Sequence, residues 1–328
     1  MERPEIKRAR KGSKMRYIED LKENEHVIEH YLCKQKQNLK TRSGKTYFSL
    51  RLQDKTGVVD AKVWELNNDV QSFEEGDMIK IDGTVLTYQN VPQIKVNKVR
   101  RSRDGEYIAM NYIPSTDKDI DDLYDQIVGM IKSIDHPQVR AMVENILVKD
   151  EARVKAFKTH SAAKQLHHSF MGGLIEHTLS VAQICDFMSG RYKHVNRDVL
   201  IACALLHDIG KIYELSEMPI NDYTDDGQMI GHIVIGVEMV TAAAAQVPDF
   251  PHELASLIKH AIIAHHGELE FGSPKLPATA EAFLLHCADN MDAKLTIIEE
   301  ILDKDTTPGP WAGYQKALNR YIRRSDFS

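Results

Sequence analysis

The sequence is poor in cysteine, and its few cysteines form no recognisable pattern. The 328 residues include four, at the widely separated positions Cys33, Cys185, Cys203 and Cys287. No two of them form a Cys-x-x-Cys pair, which argues against a disulfide framework and against a zinc site made of thiolates.

Long apolar runs are also absent. The longest ones, such as residues 199–206, have the length of a core segment and are too short to cross a bilayer. The amino terminus is polar and basic, without the apolar segment of a secretory signal. We therefore expect a cytoplasmic protein that does not associate with membranes.

A strong excess of one charge sign is missing as well. The formal net charge is −6, and 42% of the residues are hydrophobic, which is typical of a globular chain with room for two domains. Two short stretches are nevertheless basic. Such stretches attract phosphate backbones, although a solvated, disordered arm explains the amino-terminal one equally well. Their cations are Arg3, Lys7, Arg8, Arg10, Lys11 and Lys14, and then Lys95, Lys98, Arg100, Arg101 and Arg103.

Residues 16–104 have the pattern of short β-strands, preceded by a basic tail over residues 1–15. Alternating apolar residues between 46 and 96 predict about five strands, with turns at residues 54–57 and at Asp82-Gly83. Short strands separated by glycine and aspartate turns predict a small barrel.

The pattern becomes helical after a linker over residues 105–119. Apolar residues such as Leu123, Ile127 and Ile131 recur at three- and four-residue spacing, and helical signals continue to Ile322. A second, all-α domain is therefore predicted over residues 120–328, in a multidomain protein with a β-barrel followed by helices.

Histidine is concentrated in this second domain, where twelve of the fifteen histidines lie between His160 and His286. His207-Asp208 ends an apolar helix and puts an imidazole beside a carboxylate, which can bridge two cations where an imidazole nitrogen binds one. A lone histidine is more often structural than a ligand. The order H…HD…H…HH…D, however, is hard to obtain by chance. Its further members are His177, His232, His265, His266 and Asp289.

Two segments with these residues resemble the HD domain: residues 168–178, which include His177, and residues 205–211. The extended pattern is similar to two-metal HD phosphodiesterases. The resemblance implies that one metal is held by His177, His207, Asp208 and Asp289, and the other by His232, His265 and His266, with Asp208 bridging. Mixed nitrogen and oxygen ligands suit Mn, Fe, Co or Ni better than a structural zinc. We expect two divalent ions, Mn²⁺ first, with Co, Fe, Ni, Mg or Zn as alternatives.

The order of the domains indicates a more specific family among the HD phosphodiesterases. A small barrel followed by an HD domain, with His265-His266-Gly267 and then residues 271–274, resembles the YhaM family of 3′→5′ exoribonucleases over about residues 16–315. HD-GYP enzymes share the ligand order, but their GYP element is absent here. The resemblance implies an OB-fold barrel and a single-stranded RNA substrate, with single-stranded DNA as a further candidate. Water would attack the phosphorus and expel the 3′ oxygen of the preceding nucleotide, releasing nucleoside 5′-monophosphates.

Asp208 and Lys211 are the predicted catalytic residues. Lys211 follows Asp208 by three residues, hence on the same helix side, where it could neutralise a phosphate oxygen; the alternative is an ordinary surface lysine. His168 is a candidate substrate contact or a cap of the helix that carries His177. Glu176 and Asp292 are candidate acceptors for ligand imidazoles.

On the barrel, aromatic and basic side chains are candidates for binding single strands. Because side chains alternate along a strand, Tyr47 and Phe48 cannot both face a ligand. For any one aromatic residue, core packing is at least as frequent a role as base stacking. The candidates are Tyr47, Phe48, Arg51, Lys62, Trp64, Tyr88 and Lys95.

Two other functions use the same residues. A nucleotide phosphohydrolase or cyclic-nucleotide phosphodiesterase would use the same metals, but it has less use for a strand-binding barrel. A non-catalytic nucleic-acid-binding adaptor would be expected to have lost part of the ligand set. A homo-oligomer is compatible with the sequence.

Overall fold

The structure, a computed structural model, describes residues 15–41, 43–88, 91–103, 105–108, 111–164, 170–218, 220–305 and 307–325. The chain divides into two compact units, Met1–Pro114 and Ser115–Ser328. Their boundary falls inside the linker predicted over residues 105–119.

The first unit contains a closed five-stranded barrel in the order β1-β2-β3-β5-β4. β3 and β5 pair in parallel, and the other neighbouring strands pair antiparallel. Alternate side chains such as Leu50, Leu52 and Ala61 fill the interior, because successive residues of a strand point to opposite faces. The strands are β1 (His26–Lys40), β2 (Thr46–Asp54), β3 (Gly57–Val63), β4 (Met78–Tyr88) and β5 (Val91–Arg101).

The barrel differs from the prediction in two strands. Strand β1, which pairs with both β2 and β4, was not predicted, because its second half, residues 34–40, lacks apolar alternation. The turn predicted at Asp82-Gly83 is wrong. These residues lie inside β4, where the register with β5 shifts by a bulge, and the strand continues through it.

The second unit is built mainly from helices, which pack around one large core. Residues 199–206 of α5 are all buried, so α5 is its central helix. No helix in the part of the chain that the structure describes is long and apolar enough to cross a membrane. The helices are α1 (Ile120–Lys132), α2 (Pro137–Leu147), α3 (Glu151–Thr159), α4 (Gly173–Ser189), α5 (Arg197–Leu206), α6 (Lys211–Glu214), α7 (Asp225–Met229), α8 (His232–Ala245), α9 (His252–Ala264) and α10 (Ala280–Lys304).

A two-stranded hairpin follows α10. Its strands, β6 (Trp311–Gln315) and β7 (Arg320–Arg323), pair antiparallel. The prediction that helices continue to Ile322 is wrong for this stretch, because the residues 308–310, Pro-Gly-Pro, cannot continue a helix. The hairpin is held by Ala312, Leu318 and Ile322, which pack against α10.

Candidate metal centre

The predicted metal ligands converge at the carboxyl end of α5. His207 and Asp208 follow this helix directly, and the other ligands come from α4, α8, α10 and the end of α9. Because α5 is buried along its length, its end delivers the two residues to the middle of the domain. A pocket of about 1000 Å³ is lined by six of the seven ligands, and His207 is buried behind them.

The first ligand group is His177, His207 and Asp289. The Nε2 atom of His177 lies 3.2 Å from the Nε2 atom of His207 and 3.2 Å from Oδ1 of Asp289. Adjacent ligands of an octahedral ion with bonds of about 2.1 Å are themselves about 3 Å apart. The spacing of the first group therefore suits a single divalent cation.

The second group is His232, His265 and His266, whose ligand atoms lie within 4.8 Å of one another. Asp208 stands between the two groups. Its Oδ2 is 3.5 Å from Nε2 of both His177 and His207, while its Oδ1 is 3.5 Å from His232 and 3.6 Å from His265. One carboxylate oxygen thus faces each group, as a bridging ligand requires.

All five histidines are anchored on their outer side through Nδ1. In a neutral ring, an acceptor at Nδ1 keeps the proton there and leaves the lone pair of Nε2 directed at the pocket, which is the form that binds a metal. The acceptors are Asp292 Oδ2 for His177 at 2.7 Å, the Ala204 carbonyl for His207 at 2.8 Å, Glu214 Oε1 for His232 at 2.8 Å, the Ile262 carbonyl for His265 at 2.6 Å and the Phe271 carbonyl for His266 at 2.9 Å.

Two buried polar atoms in this centre have no hydrogen-bond partner: Oδ1 of Asp208 and Nε2 of His232. Such atoms are costly in a protein interior unless another group satisfies them. They lie 3.5 Å from each other, on the side of the second ligand group. This donor set therefore fits two divalent cations, which would satisfy both atoms.

The charges of the centre are strongly perturbed. Burial lowers the pKa of His207 to about 4, whereas at His177 the carboxylates of Asp289 and Asp292 outweigh burial and raise the pKa to about 9. Burial opposes ionisation of Asp208, but the neighbouring Lys211 and His207 hold its pKa well below the usual range. Asp208 is therefore a carboxylate at neutral pH.

Lys211 lies within the pocket wall, on the side expected from its spacing. Its Nζ donates to Oδ2 of Asp208 at 2.6 Å. Burial disfavours the ammonium form, yet the carboxylate of Asp208 raises the pKa of Lys211 above its usual value. A fixed positive charge therefore stands beside the predicted bridging ligand.

Local chain geometry positions the second group. A Cβ atom on Gly210 would lie 2.1 Å from the carbonyl oxygen of His232, so the absence of a side chain lets α8 begin against the end of α5. Glu214 accepts from both the backbone N–H and the Nδ1–H of His232. No sequence pattern pointed to Glu214, which lies 18 residues from His232.

The other predicted residues of this domain have mixed outcomes. Asp292 contacts His177 as expected, but Glu176 instead accepts from Thr116 at 2.5 Å and from Lys118 at 2.8 Å. His168 lies outside the described residues. His286, which lines the pocket, donates to the carbonyl of His265 at 2.9 Å.

The barrel brings five of its seven candidate residues to one outer face. Tyr47 and Arg51 alternate with buried Leu50 and Leu52, and Lys62 pairs with Lys95 in the parallel register. Trp64, 38% exposed, stacks on Tyr47 with ring centroids 4.5 Å apart.

The remaining two candidates differ from these five. Phe48 packs edge-on against Phe73 at 6.1 Å, on the core side of the barrel. Tyr88 ends β4, and its side chain lies outside the described part. Some candidate charges have partners, since Lys62 donates to Ser49 at 2.5 Å.

Comparison with known proteins agrees with both domains. The HD domain family matches residues 174–294, and the OB-fold nucleic acid binding domain family matches residues 33–101. The curated protein named 3′-5′ exoribonuclease YhaM, from Geobacillus sp. (strain WCH70), is 32% identical over 289 residues, or 87% of this chain and 88% of that protein. This chain belongs to the YhaM family. The resemblance of the chain to this family and the expected OB-fold and HD domains are confirmed.

Two solved structures are similar to part of this YhaM-family chain. The second OB-fold domain of replication protein A from Methanococcus maripaludis is 19% identical, with a TM-score of 0.23, and covers 29% of this chain and 99% of that domain. The p204 HINb domain is 14% identical, with a TM-score of 0.23, and covers 27% of this chain and 47% of that one.

Proposed function

We propose that this protein is a metal-dependent 3′→5′ exoribonuclease that removes nucleoside 5′-monophosphates from single-stranded RNA. The observation that carries the proposal is the pair of ligand groups that share Asp208 on the wall of an open pocket. Membership of a family whose curated relative is named a 3′-5′ exoribonuclease supports it. The cytoplasmic location expected from the sequence stays a prediction.

The ligand set supports two divalent cations, and we propose Mn²⁺. His177, His207, Asp289 and Asp208 would hold one, and His232, His265, His266 and Asp208 the other. When bound, such ions polarise a phosphodiester and make water more acidic. Three imidazoles and no dedicated carboxylate in the second group favour a transition metal over Mg²⁺.

The protein side chains have two further tasks in this reaction. Lys211, fixed beside Asp208, would offset the negative charge of the scissile phosphate. Tyr223 and Phe271 have exposed rings and line the same pocket, so they would contact the terminal nucleotide. The pocket volume is at the upper end of the range for small-molecule sites.

The barrel would hold the RNA strand while its 3′ end is cleaved. Its outer face with Tyr47, Trp64, Lys62 and Lys95 combines stacked aromatic rings with cations, as single-strand-binding surfaces do. A strand-binding module in the same chain raises the local concentration of substrate at the pocket. Single-stranded RNA is the proposed substrate, and single-stranded DNA is a second candidate that the experiment below compares with it.

The test uses metal-stripped protein, a 5′-labelled single-stranded RNA, and the same sequence as DNA, each with and without Mn²⁺. We expect a ladder that shortens from the 3′ end only when Mn²⁺ is added. Asp208→Ala should abolish it, while Glu253→Ala, which changes an exposed carboxylate on α9, should leave it unchanged.

Other outcomes would identify another function. Intact RNA together with hydrolysis of mononucleotides or cyclic nucleotides would establish a nucleotide phosphohydrolase instead. RNA that is bound but cleaved in no lane, with two metal equivalents confirmed, would establish a binding adaptor.

A further inference from the structure

The hairpin after α10 carries three aromatic side chains on its surface. Trp311, Tyr314 and Tyr321 are 53%, 51% and 61% exposed. The strand register pairs Tyr314 with Tyr321 and Trp311 with Arg323, and paired residues share one face of a sheet. These four residues form what we call the aromatic face, while Ala312 and Ile322 are buried on the opposite side.

The aromatic face is not what holds the hairpin in place. An isolated hairpin is marginally stable in water, and this one is anchored by packing against Ile297, Ile298 and Ile301 of α10. Tyr314 and Tyr321 contact each other with ring centroids 5.3 Å apart. A cluster of large exposed side chains that folding does not require is typical of a binding surface.

The hairpin is also locally basic in a chain whose net charge is −6. Residues 306–325 include no aspartate or glutamate and four cations. Arg324 pairs with Asp305 at 2.7 Å, but Lys316, Arg320 and Arg323 form no ion pair with any residue that the structure describes. Local potential, rather than total charge, decides which ligands approach a surface.

We propose that the aromatic face binds single-stranded RNA, as a contact separate from the barrel. Exposed rings stack on bases, and Arg323 on the same face attracts phosphates, with Lys316 and Arg320 as further cations nearby in the hairpin. The barrel shows the same combination, since Trp64 stacks on Tyr47 near Lys95. The two tryptophans of the chain thus both lie on basic, partly exposed β-structure. The inference rests on the proposed exoribonuclease function and adds a contact that neither matched domain family includes.

The hairpin packs on the helix that carries a predicted metal ligand. Ile298, one of its anchors, follows Asp289 by nine residues on α10, which is roughly 14 Å along a helix axis. This rise is a lower bound for the distance from the metal centre to the aromatic face, because nine residues also place the two positions on opposite sides of the helix. Stacked nucleotides are spaced by about 3.4 Å, so at least about four nucleotides are needed to span it. Substrates shorter than this would not reach from the metal centre to the aromatic face.

The test measures binding of a 5′-fluorescein-labelled 24-nucleotide oligoadenylate to the full-length, metal-stripped protein by anisotropy. Trp311→Thr combined with Tyr321→Thr keeps residues that favour strands and removes both rings. We expect RNA affinity to fall by about fivefold or more, the effect of losing one stacked base. The control Phe187→Ser, at an 84% exposed aromatic of α4, should change it less than twofold.

A charge variant gives a second, independent readout. Arg323→Gln should lower the slope of log affinity against log salt by about 0.7, the value for one phosphate contact on a single strand. If the double variant lowers the unfolding midpoint, this salt slope decides. Tyr321→Trp, which keeps a stacking ring, should retain the affinity.

Unchanged affinity and an unchanged salt slope would overturn the proposal. A change in oligomeric state of the variants by light scattering, with RNA affinity intact, would overturn it in favour of contact between copies of the chain. Hydrolysis of a dinucleotide with Mn²⁺ distinguishes failure of the proposed exoribonuclease function from failure of RNA binding by the aromatic face. A wild-type protein that hydrolyses neither the 24-mer nor the dinucleotide contradicts the proposed function, whereas variants that hydrolyse the dinucleotide like the wild type and bind the 24-mer weakly support the aromatic face as the RNA contact.

Discussion

Each histidine of the candidate metal centre depends on the group that holds its Nδ1 atom. Three of these groups are backbone carbonyls, which no substitution at their own residue removes, and two are the carboxylates of Asp292 and Glu214. Removal of such an orienting acceptor typically lowers metal affinity although the ligand itself remains. The two carboxylates can therefore be tested by substitution.

Asp292→Ala should weaken metal binding about 10- to 100-fold, because His177 loses the acceptor of its Nδ1–H. Asp292→Asn, which keeps an acceptor oxygen, should fall between this variant and the wild type. Competition with a chelator measures the affinity. The control is Glu176→Ala, next to His177 in sequence but bonded to Thr116 and Lys118, and it should bind metal normally. Equal affinities of Asp292→Ala and the control would contradict this role.

Metal binding should also depend on pH through His177. Its pKa is about 9 in the metal-free protein, so a proton must leave before Nε2 can bind an ion. Affinity should therefore rise with pH from 6.5 to about 9, by about tenfold per pH unit for the His177 proton alone, and then level off. His207, with a pKa of about 4, is already neutral throughout this range.

The stability of the metal-free protein should change in the opposite direction. A raised pKa means that protonated His177 stabilises the fold. This contribution is full below the unfolded pKa near 6.5 and is lost as the pH rises through about 9. Urea unfolding in chelator at pH 6.5 and 9.5, with His177→Gln for comparison, measures it.

The metal affinity is measured by competition with a chelator at each pH. An affinity that does not change over this range would contradict the assignment of His177.

Among the secondary-structure elements, the end of α9 is tightly constrained. Gly267 follows the paired histidines with φ of +79°, and a Cβ atom there would lie 2.1 Å from the ring of His286. That ring donates to the carbonyl of His265. The position of the second ligand group therefore depends on the left-handed backbone conformation of Gly267.

Gly267→Ala should displace His286 and the adjacent His265-His266 pair. An alanine in the left-handed backbone conformation costs roughly 1–2 kcal/mol by itself. We expect Gly267→Ala to lower the free energy of unfolding by more than this and to remove one metal equivalent. Gly272→Ala is the matched control, since its φ is +85° and nothing lies within 4 Å of the added Cβ. It should show the conformational cost alone and keep both metals. Urea unfolding and metal analysis of both variants distinguish these results.

Element boundaries were predictable where the pattern was local. The alternation in β2 and β3 and the spacing in α1 gave the expected strands and helix. Strand β1 was missed because its pairing with β2 and β4, and not its own apolar alternation, makes it a strand. The hairpin after α10 was missed because its few apolar residues, Ala312, Leu318 and Ile322, are buried by the helix.

For the whole molecule, the proposal assigns strand binding to the barrel and hydrolysis to the helical unit. Family membership covers 87% of the chain, and each unit has its own hydrophobic core. Substitutions on the outer face of the barrel should thus alter how RNA is bound without altering the metal centre.

Tyr47→Ala combined with Trp64→Ala should raise the KM for a 24-nucleotide RNA about tenfold, because a stacking platform contributes roughly 1–3 kcal/mol per base. The kcat for a dinucleotide and the metal content should stay unchanged. Ile28→Thr, an exposed position on β1, is the control. Equal KM values for long RNA in the wild type and the double variant would show that this face does not hold the strand.

The sequence by itself determined which residues are the candidate ligands and most of the local structures that carry them. Short stretches of the sequence contain both the imidazole and carboxylate groups and the three- and four-residue spacing of apolar residues, so both can be recognised without a structure. Only the tertiary structure decided how those residues are oriented. The acceptor of His177 lies 115 residues away and that of His232 lies 18 residues away. Contacts across such separations arise from the packing of α4 against α10 and of α6 against α8, which no local pattern specifies.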